Sequence, residues 1–392
     1  MAVADFAVLI IGADENPRLQ ELETELARRT SVLAGAGERI DFVRQGSHAS
    51  VHRANKKAAV VFCRGATTPA EDAAVAWCVQ NGLTVFPVVE DLTLFSNLAP
   101  DALKSYNGFE LKPRDNIGEL AGLVLETLGL QRSKRKIFIS YARRDSAAIA
   151  HQLHEALVAR WYRVFQDTVS IRPGAAFQEE LMQELSDSDV MLLLNSPSVP
   201  SRPYVRAEIA FADQAGVGGV QVVWPGVQPL GEAGFFMRIQ LQDSDWQPEP
   251  EAKGTLGTYQ LSADRIREIL DGVAAVRTEV QKHREQKIVD HVKAHLNTWT
   301  LVLHQGRFIA LEDAHKRRVF LDLALGLPTS HDLHQACIAA RKPPPCTETI
   351  RVLYDPFGIT NEQARHLEFL RTRLNLELLD HRKADQWSAQ LP

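Results

Sequence analysis

The apolar positions of this chain fall into short unbroken runs, separated by stretches with helical spacing. Phe6 to Ile11, Ala58 to Cys63 and Thr84 to Val89 are such runs. A parallel strand buried on both faces needs that continuous character. Ile40 to Val43 reads as a further short strand. Behind Pro17, the leucines Leu19, Leu22 and Leu26 recur at helical spacing, and Pro69 to Gln80 reads as a helix ended by Asn81-Gly82. A last helix is predicted from about Ile117 to Leu128. Strands alternating with helices predict a parallel α/β domain over residues 1–131. Gly12 follows the first strand without a phosphate-binding motif around it, and reads as an ordinary turn.

The same grammar returns after Gln131 to Lys136, a basic segment that reads as an exposed linker. Ile137-Phe138-Ile139 is a strand running into a polar loop, Ser140 to Ser146, and a helix from Ser146 to Arg160 follows. Strand Tyr162 to Gln166 ends at Asp167, before a loop with Arg172, Pro173 and Gly174 and a helix from Ala176 to Leu185. Strand Val190 to Leu194 leads to a third polar loop, Asn195 to Arg202, and then to a helix carrying Glu208. These segments make a second α/β domain, residues 134–250. In an open parallel sheet, loops that follow strands gather at the carboxyl edge, where ligands bind. On the last helix Val205, Ile209 and Ala212 make a stripe that can face the sheet. Tyr204, Glu208 and Phe211 form the neighbouring stripe, so Glu208 is expected to look outward to the rim.

Residues 263–392 read as a mostly helical or α/β region. A long helix is predicted from about Ala263 to Trp299, with Ile266, Ile269, Leu270, Val273 and Val276 on one face. Its charge-rich part, Glu279 to Lys287, suits an exposed or interdomain helix. Beyond Pro343 come a strand, Ile350 to Tyr354, a helix, Thr360 to Leu374, and a short strand at Glu377.

Composition narrows the class without changing the picture. The 392 residues are 45% hydrophobic and 24% charged, as in a globular protein. A formal net charge of -5 marks no polyanion binder, and nucleic acid is not an expected partner. Phe6 to Ile11 is too short for a signal-peptide core or a membrane span, so a cytoplasmic protein without a membrane partner is expected. Cys63, Cys78, Cys337 and Cys346 lack framework spacing and read as reduced thiols. His291 with His295, and His331 with His334, are too few ligands to argue a metal.

The second domain resembles a bacterial TIR (Toll/interleukin-1 receptor) domain. FISYARRDS, the VFQD strand end, IRPGAAF, SDSDVMLLLNSPS and YVRAE occur in the family's order. The resemblance implies a flavodoxin-like parallel sheet. For many members it also implies cleavage of NAD+ at the nicotinamide–ribose bond by a glutamate that matches Glu208. It further implies self-association and a bacterial antiviral-defence role through NAD+ depletion. Tyr204 and Val205-Arg206 stand where several members have tryptophan and tryptophan-cysteine.

One carboxylate suffices for that chemistry. Glycosidases usually add an acid because an alkoxide leaves poorly. The pyridinium of NAD+ is already cationic and leaves neutral, so Glu208 need only steady an oxocarbenium-like ribose and its nucleophile. Tyr204 is a candidate to stack on nicotinamide, and Arg143 or Arg172 to pair with diphosphate. Gly174 allows close backbone approach. Ser140, Tyr141, Phe165 and Asp167 complete the candidate pocket. NAD+ is then substrate and no cofactor is expected. A cyclic ADP-ribose synthase and a non-enzymatic assembly adaptor remain alternatives, and the flanking domains are candidates to receive a trigger ligand or partner protein.

An internal repeat is visible. VVFCRGATTPAEDAAVAWCVQNGLTVFPVV and MLLLNSPSVPSRPYVRAEIAFADQAGVGGVQVVWP share one order of elements, and their alignment sets Ala74 opposite Glu208. The first domain is thus either a degenerate TIR-like copy or a convergent α/β unit.

Overall fold

The computed structural model describes residues 6–33, 40–54, 56–111, 117–166, 177–201, 203–248, 259–305, 308–330, 332–334, 336, 349–374 and 376–391. The chain divides into two compact units, Met1–Ser133 and Lys134–Pro392.

In the first unit, β1 (Phe6–Ile11), β2 (Ile40–Arg44), β3 (Lys56–Phe62), β4 (Thr84–Val89) and β5 (Phe109–Glu110) form a parallel sheet, in the order β2-β1-β3-β4-β5. Its helices are α1 (Pro17–Leu33), α2 (Pro69–Gln80), the single turn α3 (Phe95–Leu98) and α4 (Ile117–Thr127). Side chains alternate across a strand. Val8 and Ile10 therefore share a core with α1 and α4, while Ala7, Leu9 and Ile11 share another with α2. A capping box starts α2: the Thr68 hydroxyl accepts from the Glu71 amide, and the Glu71 carboxylate accepts from the Thr68 amide.

The second unit holds β6 (Lys136–Tyr141), α5 (Arg143–Val158), β7 (Arg163–Gln166), α6 (Phe177–Ser186), β8 (Val190–Asn195), α7 (Pro203–Gln214), β9 (Gly218–Val223) and β10 (Met237–Gln240). The sheet runs β10-β9-β8-β6-β7, the flavodoxin-like order. The pattern predicts three of these strands, the apolar run that closes the repeat is β9, and β10, short and half polar, is the fifth. The predicted loop Ser140–Ser146 is corrected: Ser140 and Tyr141 end β6, and α5 begins at Arg143. The exposed linker is corrected too, for Gln131, Arg132 and Arg135 are buried. The Arg135 guanidinium lies 5.6 Å from the Tyr162 ring centroid and donates to the Arg160 carbonyl.

After a small ribbon, β11 (Trp246–Pro248) with β12 (Tyr259–Leu261), comes α8 (Ala263–His295). Its 33 residues span roughly 50 Å at 1.5 Å per residue. The helix serves two cores. Ile269, Leu270, Val273, Val276 and Val280 cover the Ile137–Ile139–Tyr141 face of the central sheet. Gly218 makes that fit possible, since a Cβ there would lie 2.2 Å from Val280. Further along, Ile288, Val289 and Val292 join the core of a third sheet. That sheet is β13 (Trp299–Gln305), β14 (Phe308–Asp313), β15 (Arg318–Ala324), β16 (Ile350–Tyr354) and β17 (Leu376–Asp380) in chain order. Its first three strands are antiparallel and its last three parallel. Helices α9 (Asn361–Leu374) and α10 (Ala384–Ser388) complete it.

The charge-rich half of α8 turns inward at the central sheet. Arg277 forms a buried ion pair with Asp189 at 2.9 Å. Arg284 donates to the carbonyls of Gly216 and Ser188, at 3.0 and 2.9 Å. Long guanidinium side chains thus satisfy backbone groups where the sheet's strands begin.

Burial pushes the Cys63 and Cys78 thiols up to about 11, which keeps them unreactive; Cys337 and Cys346 lie outside the described residues. Among the described residues no helix is long and apolar enough to cross a membrane. No group of three or more His, Cys, Asp or Glu among them is placed to hold a metal. His291 and His295 stack on each other at 4.1 Å, and His331 lies outside the described residues.

Candidate active site

The site is built where β6 ends beneath α7. Alternation sends Ile137, Ile139 and Tyr141 into the core under α5 and α8. Phe138 goes into the opposite core, with Val205 and Ile209 of α7. Ser140 lies on the Phe138 side and so faces α7. Its hydroxyl donates to Glu208 Oε2 at 2.6 Å, and both residues are buried, at 1% and 3% exposure. A distance of 2.6 Å fits a charge-assisted O–H···O⁻ bond.

Glu208 therefore does not look outward to the rim, as the stripe argument expected. Val205, Ile209 and Ala212 do face the sheet, at 2%, 1% and 0% exposure. Position 208 sits among them, three residues after Val205 and four before Ala212, which is one face of a helix. That spacing was a signal available in the sequence. The cost of burying a carboxylate, several kcal/mol when unpaired, is offset by the Ser140 hydroxyl.

The other predicted residues divide into three groups. Tyr204, one turn before Glu208, is 58% exposed at the rim. Arg143 is exposed as the first residue of α5. Tyr141 and Phe165 are core residues: Tyr141 lies in the core of the opposite face, and Phe165 stacks on Phe138 at 5.5 Å. Asp167, Arg172 and Gly174 lie outside the described residues. The structure thus joins Ser140 to Glu208 and leaves Tyr204 exposed one turn earlier on α7. Beside Tyr204, Arg206 of the Val205-Arg206 departure pairs with Glu232 at 3.1 Å.

A TIR domain family profile matches residues 137–251. This stretch is a TIR domain. No curated protein matches the chain. Among solved structures, the TIR domains of the activated Roq1 resistosome directly recognizing the pathogen effector XopQ are 17% identical. They match over 40% of this chain and 99% of that chain, with a TM-score of 0.23. Tagatose-6-phosphate ketose/aldose isomerase from Escherichia coli is 13% identical over 72% of this chain and 82% of that chain, with a TM-score of 0.19. The C-terminal domain of glucosamine-fructose-6-phosphate aminotransferase from Francisella tularensis is 6% identical over 71% and 84%, with a TM-score of 0.20. At these TM-scores none of the three bears on the chemistry of the site.

A residue that sequence reasoning passed over organises the rim of the TIR domain. Asp145, in the first turn of α5, accepts from Ser146 Oγ at 2.9 Å, Ser196 Oγ at 2.6 Å and the Ser198 amide at 2.9 Å. It ties the start of α5 to the segment leading into α7. Burial alone would raise its carboxyl, but the bonds from Ser196, Ser198 and Ser146 outweigh burial and hold it below the ordinary range. The lowered value means the stabilisation is present above the unfolded aspartate pKa and is lost as pH falls through the folded one. Asp145→Ala should cost about 1 kcal/mol, small because the group is partly solvated. Hydrogen exchange should speed up at residues 196–201 while the core of β8 keeps its protection. Unchanged exchange there would show that the segment is held by other contacts.

The N-terminal sheet repeats the TIR order of strands and much of its register. Ala58 pairs with Thr84 as Val190 pairs with Gly218, and Ile11 pairs with Val61 as Ser140 pairs with Leu193. Helices α2 and α7 each have 12 residues, and each is followed by a glycine at φ +62, Gly82 and Gly216. That superposition sets Ile11 at the position of Ser140 and Ala74 at that of Glu208, and both are buried, at 1% and 0% exposure. The hydroxyl–carboxylate pair of the TIR domain has an apolar pair as its counterpart in the first unit.

Proposed function

We propose that the TIR domain cleaves NAD+ at the nicotinamide–ribose bond, with Glu208 as the catalytic residue. The observation that carries the proposal is the 2.6 Å bond between Ser140 and Glu208 at the carboxyl edge of the sheet. A carboxylate held there by a strand hydroxyl has a fixed direction, and a preorganised charge stabilises a developing cation at low reorganisation cost. The C–N bond to the pyridinium breaks, and its electron pair leaves on neutral nicotinamide. Water then attacks the ribose cation and yields ADP-ribose after loss of a proton. NAD+ is the substrate, and no resident cofactor takes part. Tyr204 at the rim offers a face for the nicotinamide ring. A defence effector that depletes NAD+ through self-associated TIR domains, with the flanking sheets receiving the trigger, is the role this activity fits.

A second reading has one observation in its favour. Glu208 is only 3% exposed, as a structural carboxylate in a non-enzymatic adaptor would be. Chromatography of products after incubating the concentrated full chain with NAD+ separates the readings. Nicotinamide with linear ADP-ribose is the expected result. A cyclic product would replace the hydrolase by a cyclase, and no nicotinamide at any protein concentration would leave the adaptor.

A further inference from the structure

The helix that carries Glu208 is held from outside the TIR domain. Phe211 lies less than one turn beyond Glu208 on α7, half buried. Its ring meets Phe357 at 5.4 Å between centroids and 41° between planes. Phe357 belongs to residues 355–360, the connection from β16 to α9 in the C-terminal sheet. This connection is rigidly shaped. Asp355 Oδ1 accepts from the Phe357 amide at 2.9 Å, and His381 Nε2 lies 3.5 Å from the same oxygen. Burial would raise the Asp355 carboxyl, but the bonds from His381 and the Phe357 amide outweigh it and hold it down at about 2. Gly358 has φ +74, and a Cβ on it would stand 2.5 Å from Ser186 at the end of α6. Only glycine satisfies both the left-handed backbone and that approach. The cavity at this junction, about 30 Å³, has room for a water or two and not for a metabolite. The junction is thus a contact and not a ligand site.

The state of the carboxylate indicates what the contact does. With Glu208 3% exposed, a ribose meets the carboxylate only if α7 opens the rim above it, the bond to Ser140 being kept. We propose that Phe357, seated on Phe211, is an autoinhibitory contact: the C-terminal sheet holds α7 in the position that keeps Glu208 shut away. The proposal rests on the NAD+ reading for its activity readout only. One aromatic pair is a modest restraint, so a trigger that moves residues 355–360 has little to overcome.

Phe357→Ala in the full chain tests this, with Gly358→Ala as an independent way to lift the same loop and Phe369→Ala, an exposed ring of α9, as control. Two quantities are read: hydrogen exchange over residues 203–214 and nicotinamide release from NAD+. Both loop variants should raise exchange and turnover about two- to tenfold, the range that losing one aromatic pair gives a two-state equilibrium. The control should change neither. Faster exchange in α7 with no nicotinamide from any variant, wild type included, would uphold the restraint and sink the NAD+ reading instead. Unchanged exchange, or turnover that falls, overturns the proposal; a merely destabilised protein loses activity and does not gain it.

Discussion

Glu208→Gln is expected to leave the fold intact and lower nicotinamide release from NAD+ by a factor on the order of 10²–10³, the usual cost of removing one preorganised charge from an active site. Glutamine keeps the volume of the buried side chain and an oxygen that can accept from Ser140, so the thermal midpoint should move little. What it lacks is the negative charge that, in the proposed mechanism, steadies the ribose cation. Ser140→Ala should cost less, because it removes one hydrogen bond to the carboxylate and leaves the charge in place. Thermal melts beside product chromatography separate the two losses. A Glu208→Gln protein that releases nicotinamide at the wild-type rate would remove Glu208 from the chemistry. The N-terminal sheet cannot rescue the variant, because Ile11 and Ala74 stand where the pair would be.

The second large effect is on stability. Arg277 and Asp189 are 4% and 7% exposed and 2.9 Å apart. Arg277→Ala leaves the Asp189 carboxylate buried beside α8 without that partner. Breaking such a pair from one side typically costs about 3–5 kcal/mol. Denaturant unfolding should show the transition of the second unit at lower concentration, with that of the first unit unmoved. Asp189→Asn in the same chain should restore part of the loss, because an amide costs less to bury than a carboxylate that has lost its Arg277 partner. A single substitution within about 0.5 kcal/mol of wild type, the range of ordinary surface changes, would mean that water reaches Asp189.

Elements whose local chemistry agrees with their place in the fold were legible from sequence. Pro69–Gln80 and Thr84–Val89 have the predicted bounds, because proline at the start and Asn-Gly at the end mark a helix whatever surrounds it. The three antiparallel strands after α8 went unread. The turn between β14 and β15 places Lys316, not glycine or asparagine, at φ +64, so the usual hairpin signal is absent. Instead Asp313 builds the turn, accepting on Oδ1 from the amides of His315 and Arg317. Polarity misled in the other direction at Ser140 and on α8. Ser140 is a strand residue because Glu208 satisfies it, and Arg277 and Arg284 are buried because acids and carbonyls of the TIR domain meet them. Each of these partners is distant in sequence, where periodicity carries no information.

That α8 serves two cores also sets an order on synthesis. Domains form as the chain emerges, at about 5–20 residues per second, and the residues of both cores of the N-terminal sheet have been made by Leu130. The central sheet waits longer. Its strands are made by Gln240, but the face under α8 stays open until Val280 has been translated. Phe357 comes later still. A nascent or prematurely terminated chain ending between these two residues would hold the Ser140–Glu208 pair without the Phe357 ring, so the proposed restraint would be made after the site it acts on.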